Sequence, residues 1–161
     1  MRIVFSRKLK YFYAMLARLV GCLFLIFAPA LLSGGGFAAE PLGLCYGPNR
    51  AERKVTCLVD GDTGWEAGVK WRLQSIDTPE YPPFAECIVE PEYAKAATFR
   101  MLELMRGGYQ IEWLGEKGKA GRDLVKIRLS DGRDAGSILV AEGLALEWPH
   151  PPKAWCGAPI G

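Results

Sequence analysis

The chain predicts a mainly β, α+β fold, and three features of its 161 residues point that way. Short runs rich in β-branched and aromatic residues are bounded by Gly, Pro, Asn and Asp. One long stretch opening at Pro91 carries apolar residues at helical spacing. A second, shorter helical stretch, Gly136–Glu142, lies near the C-terminal end.

Taken in order, Lys54–Val59 is rich in β-formers and reads as a strand running into Asp60. Glu66-Ala67-Gly68 is a turn, and Val69–Ile76 alternates as the next strand, so residues 54–76 form a hairpin. Splitting Val55–Val59 from Trp65–Ile76 at their turns yields three strands here. Thr78-Pro79 ends the region, because a residue before proline is pushed out of helical space, and residues 81–90 form a loop. Pro91 suits a first helical turn, and Glu90 and Glu92 suit the positive helix N-terminus. Ala97, Met101, Leu104 and Met105 then make a core stripe, and Gly107-Gly108 stops the helix. Tyr109–Leu114 and Arg122–Leu129 read as strands joined by the Gly115–Gly121 connection. Asp131-Gly132 is a turn, Gly143 closes the second helix, and Leu144–Trp148 is a last short strand. Short antiparallel strands with one inserted helix suit a small closed barrel, a five-stranded OB-fold barrel with a second short helix.

The N-terminus is basic without acids (Arg2, Arg7, Lys8, Lys10, Arg18), then apolar from Leu19 to Leu32, then small. That order is a secretory signal peptide over residues 1–38, with cleavage expected after Ala38 at Gly36-Phe37-Ala38. The alternative is an uncleaved membrane anchor lengthened by Tyr11–Ala17. Residues 39–53 then read as an N-terminal loop, 54–148 as the domain and 149–161 as a Pro-rich tail. The full chain has 20 Lys+Arg and 18 Asp+Glu; losing five basic residues and no acid leaves 15 against 18, net −3. A broad polyanion binder is therefore excluded, since phosphate neutralisation drives that kind of affinity. Cys45, Cys57, Cys87 and Cys156 remain, an even number in an exported chain, which reads as two disulfides. Of three connectivities, Cys45–Cys57 and Cys87–Cys156 are favoured, the first closing a short loop and the second tying a central loop to the C-terminus. Zinc fits poorly, with no Cys-x2-Cys pair and His150 as the sole histidine. The same count excludes Ser-His-Asp hydrolysis on a tail histidine, and no P-loop is present.

The chemistry concentrates in Asp60-Gly61-Asp62-Thr63, Arg72 and Ile76-Asp77-Thr78-Pro79-Glu80, with Arg122 arriving later. Asp60 and Asp62 share a face if the chain is extended there. Asp62 and Asp77 meet if their strands pair, and with the Thr78 carbonyl they make an all-oxygen shell suited to Ca2+ or Mg2+. Glu80 lies where it can deprotonate a water for in-line attack. Arg72 and Arg122 can grip a phosphate with planar forks and meet charge growing on its oxygens. Arg72 and Asp77 are five apart, on opposite faces of a straight strand, so convergence requires a turn between Ile76 and Asp77 or a bulge.

These residues resemble the staphylococcal (micrococcal) nuclease family. The likeness runs through Val59-Asp60-Gly61-Asp62-Thr63, Trp71-Arg72-Leu73, Ile76-Asp77-Thr78-Pro79-Glu80, Pro91-Glu92 with Ala94, Gly121-Arg122, Asp131-Gly132 and Glu142-Gly143-Leu144-Ala145, about residues 54–148. The resemblance implies an OB-fold barrel and calcium-dependent cleavage of DNA and RNA that leaves 3′-phosphates. By motif position, Asp62 and Asp77 look like the calcium carboxylates and Thr78 like the carbonyl ligand. Asp60 looks like an acid one layer behind them, Glu80 like the general base, and Arg72 and Arg122 like the phosphate clamp.

The chain departs from that pattern in its aromatics. Ala120 stands where the family has a tyrosine before Gly-Arg, and Pro149 and Pro151 fall near two more. Trp148 and Trp155 are the candidates to replace them, a base stack being worth about 1–3 kcal/mol. A C-terminal helix is missing from the pattern, with the cysteine pairs as replacement bracing. The expectation is an exported monomer, secreted or periplasmic, acting on DNA and RNA. The competing reading is a non-catalytic OB-fold module binding nucleic acid or protein; a retired site would have lost Glu80 or an arginine, and this chain keeps them.

Overall fold

The computed structural model describes residues 42–157. The expected signal peptide and its alternative, the membrane anchor, lie outside the described residues. Among the described residues no helix is long and apolar enough to cross a membrane.

The fold is α+β, with mostly strands and two α-helices. In chain order it comprises β1 (Cys57–Leu58), β2 (Thr63–Glu66), β3 (Val69–Leu73), β4 (Ile76–Asp77), α1 (Glu90–Arg106), β5 (Tyr109–Lys117), a 3-10 turn (Lys119–Gly121), β6 (Asp123–Leu129), α2 (Ala135–Ala141) and β7 (Leu146–Glu147). One sheet has the order β1-β2-β3-β6-β5, with β3 and β6 parallel and the other neighbours antiparallel. A second ribbon pairs β4 with β7, Asp77 opposite Leu146 and Ile76 opposite Glu147.

The long sheet is open: β1 and β5 are its edges, where a closed barrel was expected. The reason lies at β1. Its outer edge is taken by the preceding segment, with Leu58 N donating to Gly43 O and Cys45 N to Leu58 O. Cys45–Cys57 locks that segment down, and Cys87–Cys156 joins the loop before α1 to the tail. The sequence separations are 12 and 69 residues, so by loop-closure entropy the two bridges are worth about 3 and 4 kcal/mol.

Other differences are local. The 54–59 run forms only two residues of ladder, because Thr63 curls back to accept from Val59 N and Asp60 N. β5 extends to Lys117, past its expected end at Leu114. The strand through Ile76 breaks at Ser75, which holds a left-handed backbone with φ 63°, and β4 starts beyond the break.

Leu58, Trp71, Leu73, Val125 and Ile127 from the sheet meet Met101, Leu102 and Met105 of α1 and Leu139 of α2 in one core. The α1 stripe is therefore packing, as its spacing implies. Trp71, next to Arg72, packs against Gly64: a Cβ there would come within 2.3 Å of the indole. Gly64→Ala is expected to displace that ring and cost about 1–3 kcal/mol by overpacking. Denaturant unfolding measures the loss; an unchanged midpoint would show that the indole has room to move.

Candidate active site

Asp60-Gly61-Asp62 forms the turn between β1 and β2, not the extended segment that alternation implies. Asp60 Oδ1 accepts from the backbone N–H of Asp62 at 3.1 Å and of Thr63 at 2.8 Å, an Asx-type turn that fixes the loop from inside. Gly61 is needed because a Cβ would come within 2.9 Å of Ala97 on α1 and of the Thr78 methyl. The turn thus presses Asp62 inward until its carboxylate is 1% exposed.

Asp62 is fully engaged. Thr63 Oγ1 donates to it at 2.8 Å, Arg72 Nη1 at 3.0 Å and Thr78 N at 3.0 Å. Arg72 Nη2 lies 3.0 Å from Asp62 Oδ2 and also pairs with Asp77 Oδ1. One guanidinium nitrogen therefore joins the two acids proposed from sequence as metal ligands. The bend that permits this is at Ser75, two residues before Asp77 and earlier than expected. Arg122, just ahead of β6, converges through Thr63, donating from Nη1 to Oγ1 at 3.3 Å, with Nε on the Lys119 carbonyl. Glu80 is half-buried, and its backbone N–H donates to Glu90 at 3.0 Å. Asp77, Glu80, Arg72, Arg122, Lys119 and Trp148 line a cavity of about 310 Å³.

The electrostatics are lopsided. Burial, reinforced by Glu80, raises the Asp60 pKa. Burial and then the Asp60 charge push Asp62 up, with Arg72 pulling the other way. Burial and the Asp62 charge raise Glu80 as well. Several acids share little positive charge in a desolvated place, which is the condition a hard divalent cation relieves. The donors fit such an ion in kind, being all oxygen, and the buried Thr78 hydroxyl has no hydrogen-bond partner among the described residues; an ion has to displace Arg72 and His150 from the carboxylates they hold. The protein offers few ligands, since no three of these carboxylates converge within ligand distance among the described residues. The Cys87, Glu90 and Cys156 cluster does bring three potential ligands together, but both sulfurs are spent in the disulfide, so no thiolate is available.

Three residues enter that sequence reasoning missed or misassigned. His150, read as a tail residue, places Nε2 2.9 Å from Asp77 Oδ2 and Nδ1 2.9 Å from the Pro151 carbonyl. Both partners offer acceptor oxygens, an arrangement that an imidazolium with two N–H donors satisfies. Burial pulls its pKa down, but the Pro151 and Asp77 bonds outweigh it and leave the value raised. No local pattern signals this contact; it needs the β4–β7 pairing that carries the tail past Asp77. Glu90, read as a helix-dipole acid, is 3% exposed and also accepts from the backbone N–H groups of Glu80 and Glu86. The two tryptophans separate: Trp148 is half-exposed with Lys119 Nζ 5.2 Å from its ring centre, whereas Trp155 is buried against Tyr93 and is removed as a base platform.

Glu90→Ala strands two backbone donors, so it is expected to destabilise the chain by about 2 kcal/mol. Amide exchange at Glu80 and Glu86 should accelerate more than at β6; uniform acceleration would place the effect on α1 as a whole. Compared with known proteins, the chain matches no protein-family model and has no significant match among curated proteins.

Proposed function

We propose that the chain is an exported metal-dependent nuclease that hydrolyses phosphodiester bonds of DNA and RNA and leaves 3′-phosphates, with a site of the staphylococcal nuclease kind. The observation that carries this reading is the meeting of Arg72, Asp77, Glu80 and Arg122 around one cavity, with buried Asp62 bonded to Arg72 behind it. We read the open sheet as an OB-type barrel; the Tyr109 hydroxyl of β5 donating to Glu66 at the end of β2 supports the curl this requires. The two disulfides suit a secreted or periplasmic setting. The chain is read as a monomer.

In the proposed reaction Glu80 takes a proton from a water as its oxygen bonds to phosphorus. The bond to the 5′-oxygen breaks, and that oxygen leaves as a hydroxyl after taking a proton from solvent. Glu80 suits the task because its carboxylate meets no donor side chain among the described residues, so its lone pairs are open to water. Arg122 holds a phosphate oxygen, and Arg72 exchanges its carboxylate partners for another. Ca2+ held by Asp62, Asp77 and Thr78 would supply further positive charge at the phosphate. Asp60 keeps the Asp62 turn in shape through its two backbone bonds. Trp148, at the cavity rim, is the platform for a base.

Digestion of single-stranded DNA and of RNA tests the proposal. Activity should require added calcium and vanish with chelator, and Glu80→Gln should lower kcat by about 10²–10⁴ without altering unfolding. Activity indifferent to chelator, or a fully active Glu80→Gln chain, refutes the mechanism. Binding without turnover under every metal condition would instead favour the non-catalytic module. Trp148→Ala should raise KM about tenfold with little change in kcat, the size of one lost base stack.

A further inference from the structure

The outward face of β6 continues beyond the clamp arginine. Residues two apart on an extended chain share a face, and Arg122 is extended, with φ −68° and ψ 141°. Arg122, Leu124, Lys126 and Arg128 therefore form one row, while Val125, Ile127 and Leu129 are buried on the other side. At 3.3 Å per residue this row spans about 20 Å. It is a local basic track on a domain whose charge after residue 38 is negative.

Each end of the row opens into a cavity. The Arg122 end belongs to the candidate active site. The Lys126–Arg128 end lines a second cavity of about 670 Å³ between β3, β6 and α2. Leu73, Ser75, Ile76 and Trp148 line both, so the two cavities adjoin across one shared wall that includes the half-exposed Trp148. Ser75, Ser137 and Gln74 add hydroxyl and amide groups to the second cavity's wall. Its acid Asp134 is committed to capping α2, accepting from Ser137 N and Oγ; Glu147 is the other acid and is exposed. Lys126 forms no ion pair among the described residues. Arg128 donates from Nη1 to the Gly132 carbonyl at 3.0 Å and has a loose, exposed pair at 3.6 Å with Glu112, the residue opposite Lys126 in the β5–β6 ladder; an exposed pair of that kind contributes little and is readily exchanged.

We propose that this second cavity is a nucleotide subsite, in which Lys126 and Arg128 hold phosphates of a single strand that runs from the Arg72–Arg122 centre past Trp148 and along β6. The inference rests on the nuclease reading and extends it to substrate length: the preferred substrate is a single-stranded polynucleotide several nucleotides long. A short diester fills only the first cavity, and a duplex is too wide to follow one face of one strand.

The test compares the full chain with a Lys126→Ala/Arg128→Ala double variant. Turnover is measured on a dinucleotide and on a 12-nucleotide single strand, and binding of the labelled 12-mer is measured by anisotropy in chelator. The double variant should match the parent on the dinucleotide. It should lose about tenfold in kcat/KM and in affinity on the 12-mer, and the salt dependence of log affinity should flatten by about 1.4, or 0.7 for each released phosphate contact. Equal loss on both substrates, or no loss on either, overturns the subsite. If the parent cleaves the dinucleotide but binds the 12-mer no better than the variant does, the subsite fails while the nuclease reading stands. If neither substrate is cleaved yet 12-mer binding depends on the pair, the nuclease reading fails and the subsite survives.

Discussion

The Arg72 guanidinium is the contact on which the rest of the structure turns. It stands between Asp62, at the tip of the β1–β2 turn, and Asp77, on β4, and thereby closes one end of the main sheet onto the small ribbon. Without it two carboxylates would face each other in a desolvated space, and an uncompensated buried charge is costly by about 3–5 kcal/mol. The arrangement is equally a constraint on function. Arg72 is at once the structural counterion and the proposed phosphate ligand, so in the proposed reaction phosphate, carboxylates and cation share a single set of partners.

Around that contact the fold acts as a clamp with two jaws. One is the main sheet, which supplies Asp62, Arg72 and Arg122 from its β1–β2 turn, β3 and the entry to β6. The other is the segment running from β4 through the loop to α1, which supplies Asp77, Thr78 and Glu80. Glu90 holds the second jaw from below through two backbone N–H groups, Tyr81 reaches Thr98 on α1 at 3.3 Å, and Cys87–Cys156 binds the same loop to the tail that presents His150. The tail, lacking regular structure over residues 151–157, is thereby held at the site by a covalent bond, a strand ribbon and the His150–Asp77 contact.

The helices and turns were legible because each rests on local chemistry: Pro91 and the glycines bound α1, and apolar spacing sets its inner face; the even cysteine count implied two bridges, of whose three connectivities the favoured one is found. The charged residues of the site were also legible as a set, since a carboxylate-rich turn, two arginines and a Thr-Pro-Glu step are unusual together. Their geometry was less so. The Asp60–Asp62 stretch is an Asx-type turn because Asp60 folds onto its own backbone, an outcome that alternation cannot distinguish from a strand. The break at Ser75 has no glycine to mark it. His150 and Trp148 acquire their places from pairing between β4 and β7, about seventy residues apart in sequence, and such pairing of two-residue strands leaves almost no periodic trace. The Gly43–Cys45 segment pairs on the outer edge of β1 through only two hydrogen bonds, too short a ladder to leave a pattern in the sequence.

That covered edge has a consequence for how the molecule lives among its copies. An unpaired strand edge is a template on which another chain can add, the usual route to aggregation. Here the Gly43–Cys45 segment occupies the β1 edge and a disulfide keeps it from peeling away. The opposite edge, β5, is long but carries Glu112, Glu116 and Lys117 among exposed positions, charges that discourage a second strand from settling there. The Gly43–Cys45 segment at one edge and the β5 charges at the other thus leave neither side of the sheet a ready template for another copy of the chain, a form of colloidal self-protection.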